Sequence, residues 1–327
     1  MNKEFKIFLV AFCLSLPFWW GINSLEKSLE DLFFFSQIVY DPYLLTARIN
    51  QDFVRRVEEI KPRRNPQAED LNIEAKSATS VLFNLSGKEK ILFQKDTEKQ
   101  LPIASLTKLM TALIVLENYS FSQEVEISKN AVDQESEFGN LKIGEKFYVR
   151  DLLYPLLIES SNDAAYALAE LNGVDRFVDL MNIMAINIRL GHTYFLNPTG
   201  LDPEKPEELA NFSTARDLST LAEYIFTEKP LIFEILSIPR LNLYSPEGVL
   251  HHELLNTNEF LEKRPTLWSS QIVGGKTGWT PMAQGCLILI LRSPLADEYL
   301  INIILGSNDR FEEMEKMVNW IYSAYKW

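Results

Sequence analysis

Between residues 75 and 327 the chain opens and closes with paired strands and is helical in between, an order that admits few folds. In "SVLFNLSGKEKILFQKD", Val81, Phe83 and Leu85 alternate, Ser86-Gly87-Lys88 turns, and Ile91 and Phe93 resume the alternation. "GCLILILR" and "YLINIILG" form a second hairpin, followed by a helical pattern with Met314, Met317, Val318, Ile321 and Tyr325 on one side. "VRDLLYPLLIESSNDAAYALAELNG" and "TARDLSTLAEYIF", which lie between the hairpins, have helical spacing. Strands so far apart in sequence share a sheet only if the two ends of the segment meet. The expectation is therefore one α+β domain, in which an antiparallel sheet joins the terminal segments, a terminal helix packs on it and a helical lobe sits between. No internal repeat or low-complexity tract is present.

The 327 residues, 46% of them apolar, suffice for one large core plus an anchor. A formal net charge of -13 excludes a nucleic-acid-binding protein, which needs a basic face. The two cysteines, Cys13 and Cys286, make no disulfide framework, so the compartment must be read from the N-terminus. Lys3 and Lys6 precede an apolar run over residues 7–22, and Glu26, Glu30 and Asp31 follow it, which orients the N-terminus inward and the rest outward. The run is short and contains Pro17, so a cleaved signal segment is the alternative, but no small-x-small cleavage site follows. Phe12 before Cys13 also argues against a lipoprotein, and an uncleaved anchor is favoured. Leu45, Ile49, Phe53, Val57 and Ile60 then recur at helical spacing, before "PRRNPQAED" breaks the pattern at Pro62 and Pro66. The domain reading is an anchor or signal segment at 1–23, a membrane-proximal stalk and linker at 24–70, and a folded domain at 71–327.

Three short stretches carry chemistry. In "LPIASLTKLMTAL", Ser105 and Lys108 stand three apart within an apolar helical pattern, so both side chains occupy one face. A desolvated lysine can take the proton of a serine hydroxyl and turn it into a nucleophile. The spacing alone is weak, since Ser24 and Lys27 share it in a polar stretch where nothing catalytic surrounds them. "ESSNDAA" places Ser160, Ser161 and Asn162 at the end of an apolar helical run, facing a cleft or capping the next helix. "VGGKTGWT" sets Lys276, Thr277 and Gly278 among small residues that allow close approach to the backbone. Taken in order, the three are a serine acyl-transfer set of Ser-x-x-Lys, Ser-x-Asn and Lys-Thr-Gly.

In this order the motifs resemble the low-molecular-mass penicillin-binding D-alanyl-D-alanine carboxypeptidases. The resemblance runs over about residues 75–327 and includes "PIASLTKLMTAL", "LLIESSNDAAYALAE", "LNPTGLD", "STARDLSTLAEYI", "LLNTNEFL" and "GGKTGWT". It implies a β-lactamase/transpeptidase-like fold and an acyl-enzyme on Ser105, with Lys108 taking the serine proton. Lys108 would be kept neutral by burial and by a second cation, for which Lys276 is the candidate. Ser160 would relay a proton to the leaving group, and Asn162 would hold the lysine or the substrate amide, with Ser161 turned away. Thr277 and Gly278 would lie on an edge strand that pairs with substrate. The backbone N–H groups of Ser105 and Trp279 would form the oxyanion hole. The implied substrate is a peptidoglycan stem peptide, with β-lactams as inhibitors, no cofactor, and action outside the cytoplasmic membrane or secretion if the leader is cleaved.

Some members bind the terminal carboxylate with an arginine on or near the last strands. Here Tyr299 stands where that arginine is sought, with Thr277, Lys276 or Arg292 as substitutes, and carboxypeptidase versus endopeptidase preference stays open. The nearest rival is a class A β-lactamase, because "PEELANF" places Glu207 and Asn211 between the second and third motifs. Ser161 at the middle position and the flanking "NPTGLD" and "STARDL" oppose that reading, so Glu207 is taken as a solvated loop charge. A non-catalytic peptidoglycan-binding protein is the other alternative. "HHELLN" lacks the second histidine of a zinc helix, so His192, His251 and His252 are read as loop or surface residues, with no metal.

Overall fold

The computed structural model describes residue 5 and residues 61–134, 139–205 and 207–327. It divides into two units, Met1–Arg63 and Arg64–Trp327. The anchor at 7–22 and the helical spacing at 45–60 lie outside the described residues, among which no helix is long and apolar enough to cross a membrane.

Seven strands position the site: β1 (Ser77–Asn84), β2 (Glu89–Lys95), β3 (Arg240–Tyr244), β4 (Leu250–Leu255), β5 (Ile272–Thr280), β6 (Gln284–Arg292) and β7 (Glu298–Ser307). Five of them make an antiparallel sheet in the order β5-β6-β7-β1-β2. The central pairing sets Ile301 opposite Val81 and Ile303 opposite Thr79, so the first hairpin lies against the last strand, as the strand order requires. β5, which carries Lys276, Thr277 and Gly278, is an edge strand.

The sheet is apolar on both faces. On β6, Ile288 and Ile290 face one core while Leu287, Leu289 and Leu291 face the other. This alters the expected alternation in the first hairpin. Leu82 and Leu92 are buried, whereas Leu85 lies in the turn beyond β1 and Ile91 on the outermost strand, where cover runs out, and both are exposed. The hairpin of β3 and β4 is also an addition to the sequence reading, because "RLNLY" and "LHHELL" are short and charged and lie in a stretch that otherwise has helical spacing.

The helices are α1 (Thr107–Asn118), α2 (Val149–Leu157), α3 (Asn162–Glu170), α4 (Val174–Asn187), α5 (Ala215–Glu228), α6 (Leu231–Leu236) and α7 (Arg310–Ala324). α7 covers the outer face of the sheet, burying Met314, Met317, Val318 and Ile321 against Leu287, Leu289, Leu300 and Ile304. Its start is fixed by Asp309, whose side chain accepts from the N–H groups of Phe311 and Glu312 at 3.0 Å. Residues 64–70 run along this layer: Asn65 N–H donates to the Ala324 carbonyl at 2.7 Å and Trp320 Nε1 to the Glu69 carbonyl at 2.8 Å. The inner face meets the helical lobe, in which Leu109, Met110, Leu113 and Ile114 make α1 apolar nearly all round. Such a helix is a core helix, so any charge on it lies in the interior.

Candidate active site

Ser105 sits in a short 3-10 turn, Ala104–Leu106, that feeds directly into α1. The turn is set off by Ala104, a non-glycine residue with φ of 47°. Lys108 follows one helical turn later with its side chain fully buried. Its Nζ lies 2.9 Å from Ser105 Oγ, 2.6 Å from Asn162 Oδ1 and 2.6 Å from the Thr199 carbonyl. The last two partners only accept hydrogen bonds. A neutral amine has two hydrogens for them and one lone pair left, which points at the serine hydroxyl. Burial, reinforced by the positive charge of Lys276, holds the Lys108 ammonium well below the usual lysine range, and the Asp163 carboxylate offsets this only partly.

The helical run predicted across residues 149–173 is interrupted just before Asn162, and that break forms the second motif. Ser160 has φ of 68°, a left-handed conformation that turns the chain sharply between α2 and α3. Ser161 caps α3 by accepting from Ala164 N–H at 3.0 Å, which is why its side chain is spent away from Lys108. Asn162, as the first residue of α3, meets Lys108. Across the cleft, Lys276 Nζ donates to Ser160 Oγ at 2.9 Å and to the Thr277 carbonyl at 3.0 Å. Burial lowers its pKa to about 7, and the nearby Arg310 guanidinium adds to the shift. Thr277 Oγ1 is 2.6 Å from Thr257 Oγ1.

Gly278 explains how β5 comes so near the serine. A Cβ there would lie 3.1 Å from Ser105 N and 3.1 Å from the Ile103 carbonyl. The next residue, Trp279, has a side chain 61% exposed, so what it presents to the turn is backbone. All eight motif residues named from the sequence, Ser105, Lys108, Ser160, Asn162, Lys276, Thr277, Gly278 and Trp279, thus gather where β5, the 3-10 turn and the α2–α3 turn meet.

The loop "LNPTGLD" closes this arrangement in a way the motifs do not announce. Asn197 Oδ1 accepts from Gly200 N–H at 2.6 Å and Thr199 N–H at 3.1 Å, presenting the Thr199 carbonyl to Lys108. Gly200 has φ of 85°, and a Cβ on it would be 2.0 Å from the Ala104 carbonyl. Asp202 accepts from Thr280 Oγ1 at 2.7 Å and from Met282 N–H at 2.9 Å, which ties the far end of β5 to the same loop. Asn211, one half of the lactamase-like pair, is buried and structural: its Nδ2 donates to Thr107 Oγ1 at 3.0 Å and its Oδ1 accepts from Leu196 N–H at 2.7 Å. Glu207, the other half, is exposed.

Two expectations change. Tyr299 packs in an aromatic group, 4.6 Å from the Phe226 ring and 5.7 Å from Phe83. It pairs with Arg292 at the opposite end of β6 from Gly285, the partner of Trp279, so neither Tyr299 nor Arg292 lines the cleft. The cation that does act on the site is Arg310. It follows β7 at the start of α7, depresses the Lys276 pKa, and has a buried Nε with no hydrogen-bond partner among the described residues. The available signal was a cation in the first turn of a helix, where the dipole disfavours it. Likewise, His251 and His252 are half-buried strand residues of β4 and not surface groups; only His192 is exposed.

A serine whose hydroxyl faces a buried amine with a disfavoured ammonium form, with a second lysine-bound serine across the cleft and backbone N–H groups beside it, is equipped for acyl transfer through a serine ester. A family profile described as D-alanyl-D-alanine carboxypeptidase matches residues 64–308, and the chain belongs to that family. It is 30% identical to a D-alanyl-D-alanine endopeptidase of Pseudomonas aeruginosa, over 74% of this chain and 76% of the relative. It is 28% identical to a D-alanyl-D-alanine carboxypeptidase of Bacillus subtilis, over 79% of this chain but only 64% of that longer protein. A mutant of the DD-transpeptidase of Streptomyces K15 superposes with a TM-score of 0.66 at 27% identity, covering 78% of this chain and 100% of the other. The α+β architecture expected from strand order, and the β-lactamase/transpeptidase-like fold implied by the resemblance, are thereby established.

Proposed function

We propose that the protein is a serine D-Ala-D-Ala carboxypeptidase that cleaves the terminal bond of peptidoglycan stem peptides and is acylated by β-lactams. The observation that carries the reading is the Lys108 amine, whose three contacts leave a lone pair for the Ser105 hydroxyl. In this reading Lys108 takes the Ser105 proton as Oγ attacks the scissile carbonyl. The developing oxyanion is held by the N–H groups of Ser105 and Trp279. Ser160, hydrogen-bonded to Lys276, passes a proton to the leaving amine of D-alanine, so the amide breaks as an ester forms on Ser105. Asn162 holds Lys108, and Thr277 and Gly278 offer strand edge to the peptide. The proton on Lys108 refills Ser160, and in the second half the freed Lys108 amine takes a proton from the water that attacks the ester and returns it to Ser105 Oγ as the ester bond breaks. Arg310 takes the role sought at Tyr299, as the cation that draws the substrate's terminal carboxylate toward Thr277.

A second reading, DD-endopeptidase, is favoured by the Pseudomonas relative of that name. Release of free D-alanine from a monomeric pentapeptide, measured beside cleavage of a cross-linked muropeptide dimer, separates the two. Release from the monomer that disappears in Ser105→Ala supports the carboxypeptidase; cleavage of the dimer alone supports the endopeptidase. The cell-wall substrate suits action outside the cytoplasmic membrane. We assign residues 1–23 to an anchor or signal segment, 24–70 to a stalk and linker and 71–327 to the catalytic domain, on the N-terminal charge order and apolar run.

A further inference from the structure

Behind the Ser160 turn stands a chain of four titratable side chains that the chemistry above does not use. His251 Nε2 is 3.1 Å from Glu145 Oε2, His251 Nδ1 is 2.6 Å from His252 Nδ1, and His252 Nε2 is 3.1 and 3.3 Å from the two oxygens of Glu159. Glu159, only 3% exposed, immediately precedes Ser160. The outer end is anchored, since Glu145 Oε2 accepts from Lys142 N–H at 2.8 Å. Two residues past the strand that carries the histidines comes Thr257, whose N–H donates to the Ile158 carbonyl at 3.1 Å and whose hydroxyl meets Thr277. The β4 arm and the residues just past it therefore brace both the Ser160 turn and the lysine strand.

Counting protons shows what the chain requires. Three contacts between hydrogen-bonding atoms need three protons. Two neutral imidazoles supply one each and a carboxylate supplies none. The closed chain must hold one more, and without it two bare acceptors face each other inside the protein. Burial, and then the Asp163 carboxylate, push the Glu159 carboxyl up to about 7, against the influence of His251. Burial lowers the His252 imidazole, against Glu145. Both shifts place the extra proton on Glu159: its O–H donates to His252 Nε2, His252 Nδ1–H to His251 Nδ1, and His251 Nε2–H to Glu145. Asp163 on α3 also faces this assembly, itself raised to about 6 by burial against the pull of backbone N–H groups. Phe147 closes the side of His251, ring centroids 5.8 Å apart.

We propose that Glu159, His252 and His251 are positioning residues that, while the chain is closed by its extra proton, clamp the left-handed Ser160 backbone and hold its hydroxyl on Lys276. The proposal rests on the proton-relay role assigned to Ser160 above. Glu159 keeps its proton below about pH 7 and loses it above, so the clamp opens on the alkaline side.

The test is a pH titration of the imidazole 15N resonances in the full-length protein, beside acylation rates with a fluorescent penicillin, for wild type, Glu159→Gln and Glu159→Ala. With three histidines in the chain, the resonances of His251 and His252 are assigned by comparison with the exposed His192. In the wild type the ring resonances of His251 and His252 should change together as Glu159 loses its proton near pH 7. Glu159→Gln, whose amide donates to His252 at every pH, should lose that joint change, acylate at the wild-type rate at pH 6 and decline less above pH 7. Glu159→Ala should acylate on the order of tenfold more slowly at pH 6. Ring resonances of His251 and His252 that do not change together in the wild type, or equal acylation rates in wild type and Glu159→Ala, would overturn the proposal. If the protein takes no penicillin at all, the function reading fails while the resonances still decide the chain.

Discussion

The two faces of the five-stranded sheet are both buried, yet they differ in what they bury. Between the sheet and α7 the contacts are mostly aliphatic, and a polar pair inside the layer, Ser80 and Asn302, is neutral: Ser80 Oγ donates to Asn302 Oδ1 at 2.7 Å, and Asn302 Nδ2 to the Leu289 carbonyl at 3.2 Å. Against the helical lobe the same sheet brings Lys276 into an interior that also holds Lys108. A buried cation is unfavourable unless it is paired or loses its proton, and both lysines are shifted toward loss. One face is built for stability, while the other gives up stability to hold two amines at a serine. The difference teaches that here a buried amine marks the chemistry, whereas a buried carboxylate such as Glu313 on α7, which accepts from Glu74 N–H at 2.6 Å and Ala75 N–H at 3.2 Å, only ties the chain together.

Substitutions on the two faces should separate accordingly. The largest effect is expected for Lys108→Met: acylation by penicillin falls by about 10² to 10⁴, the usual contribution of a general base, while the melting temperature at neutral pH holds or rises. A mutant that unfolds instead would break the comparison. On the outer face, Met317→Ala should cost about 2–5 kcal/mol in denaturant unfolding and leave the acylation rate of the remaining folded protein within about twofold. Lys276→Met sharpens the contrast through pH. Its pKa is about 7 when folded against 10.5 as a free side chain, so the unfolded chain binds the extra proton between these values. The penalty for burying this lysine is complete below about pH 7 and fades as pH rises toward 10.5. The substitution should therefore raise the melting temperature at pH 6 more than at pH 9, a ranking that scanning calorimetry reads directly. The smallest effect belongs to Ser161→Ala, which removes the α3 cap at about 1 kcal/mol of stability without removing a group that touches Ser105.

Much of this was legible before any coordinates. Strand order alone placed the first hairpin beside the last strand, and the three motifs named the groups that converge on Ser105. Local rules reached less far where a tertiary contact decides the outcome. Leu85 and Ile91 carry the alternating pattern but lie where no layer covers them. Asn197 and Gly200 look like ordinary turn residues, and only the Thr199 carbonyl aimed at Lys108 reveals their use. Arg310 was missed because it lies beyond the strand where a carboxylate-binding arginine was sought, on the first turn of a helix. His251 and His252 read from sequence as loop or surface groups, with no zinc motif. Their partners, Glu145 and Glu159, are remote in sequence and give no periodic signal.

The central claim, that Ser105 is an acylated nucleophile served by a neutral Lys108, is tested most directly by intact-mass spectrometry of the full-length protein after brief incubation with benzylpenicillin, beside Ser105→Ala. The account predicts an adduct of one drug mass that is absent from the variant. An adduct that persists in Ser105→Ala, or rapid drug hydrolysis with no adduct on the wild type, would contradict it.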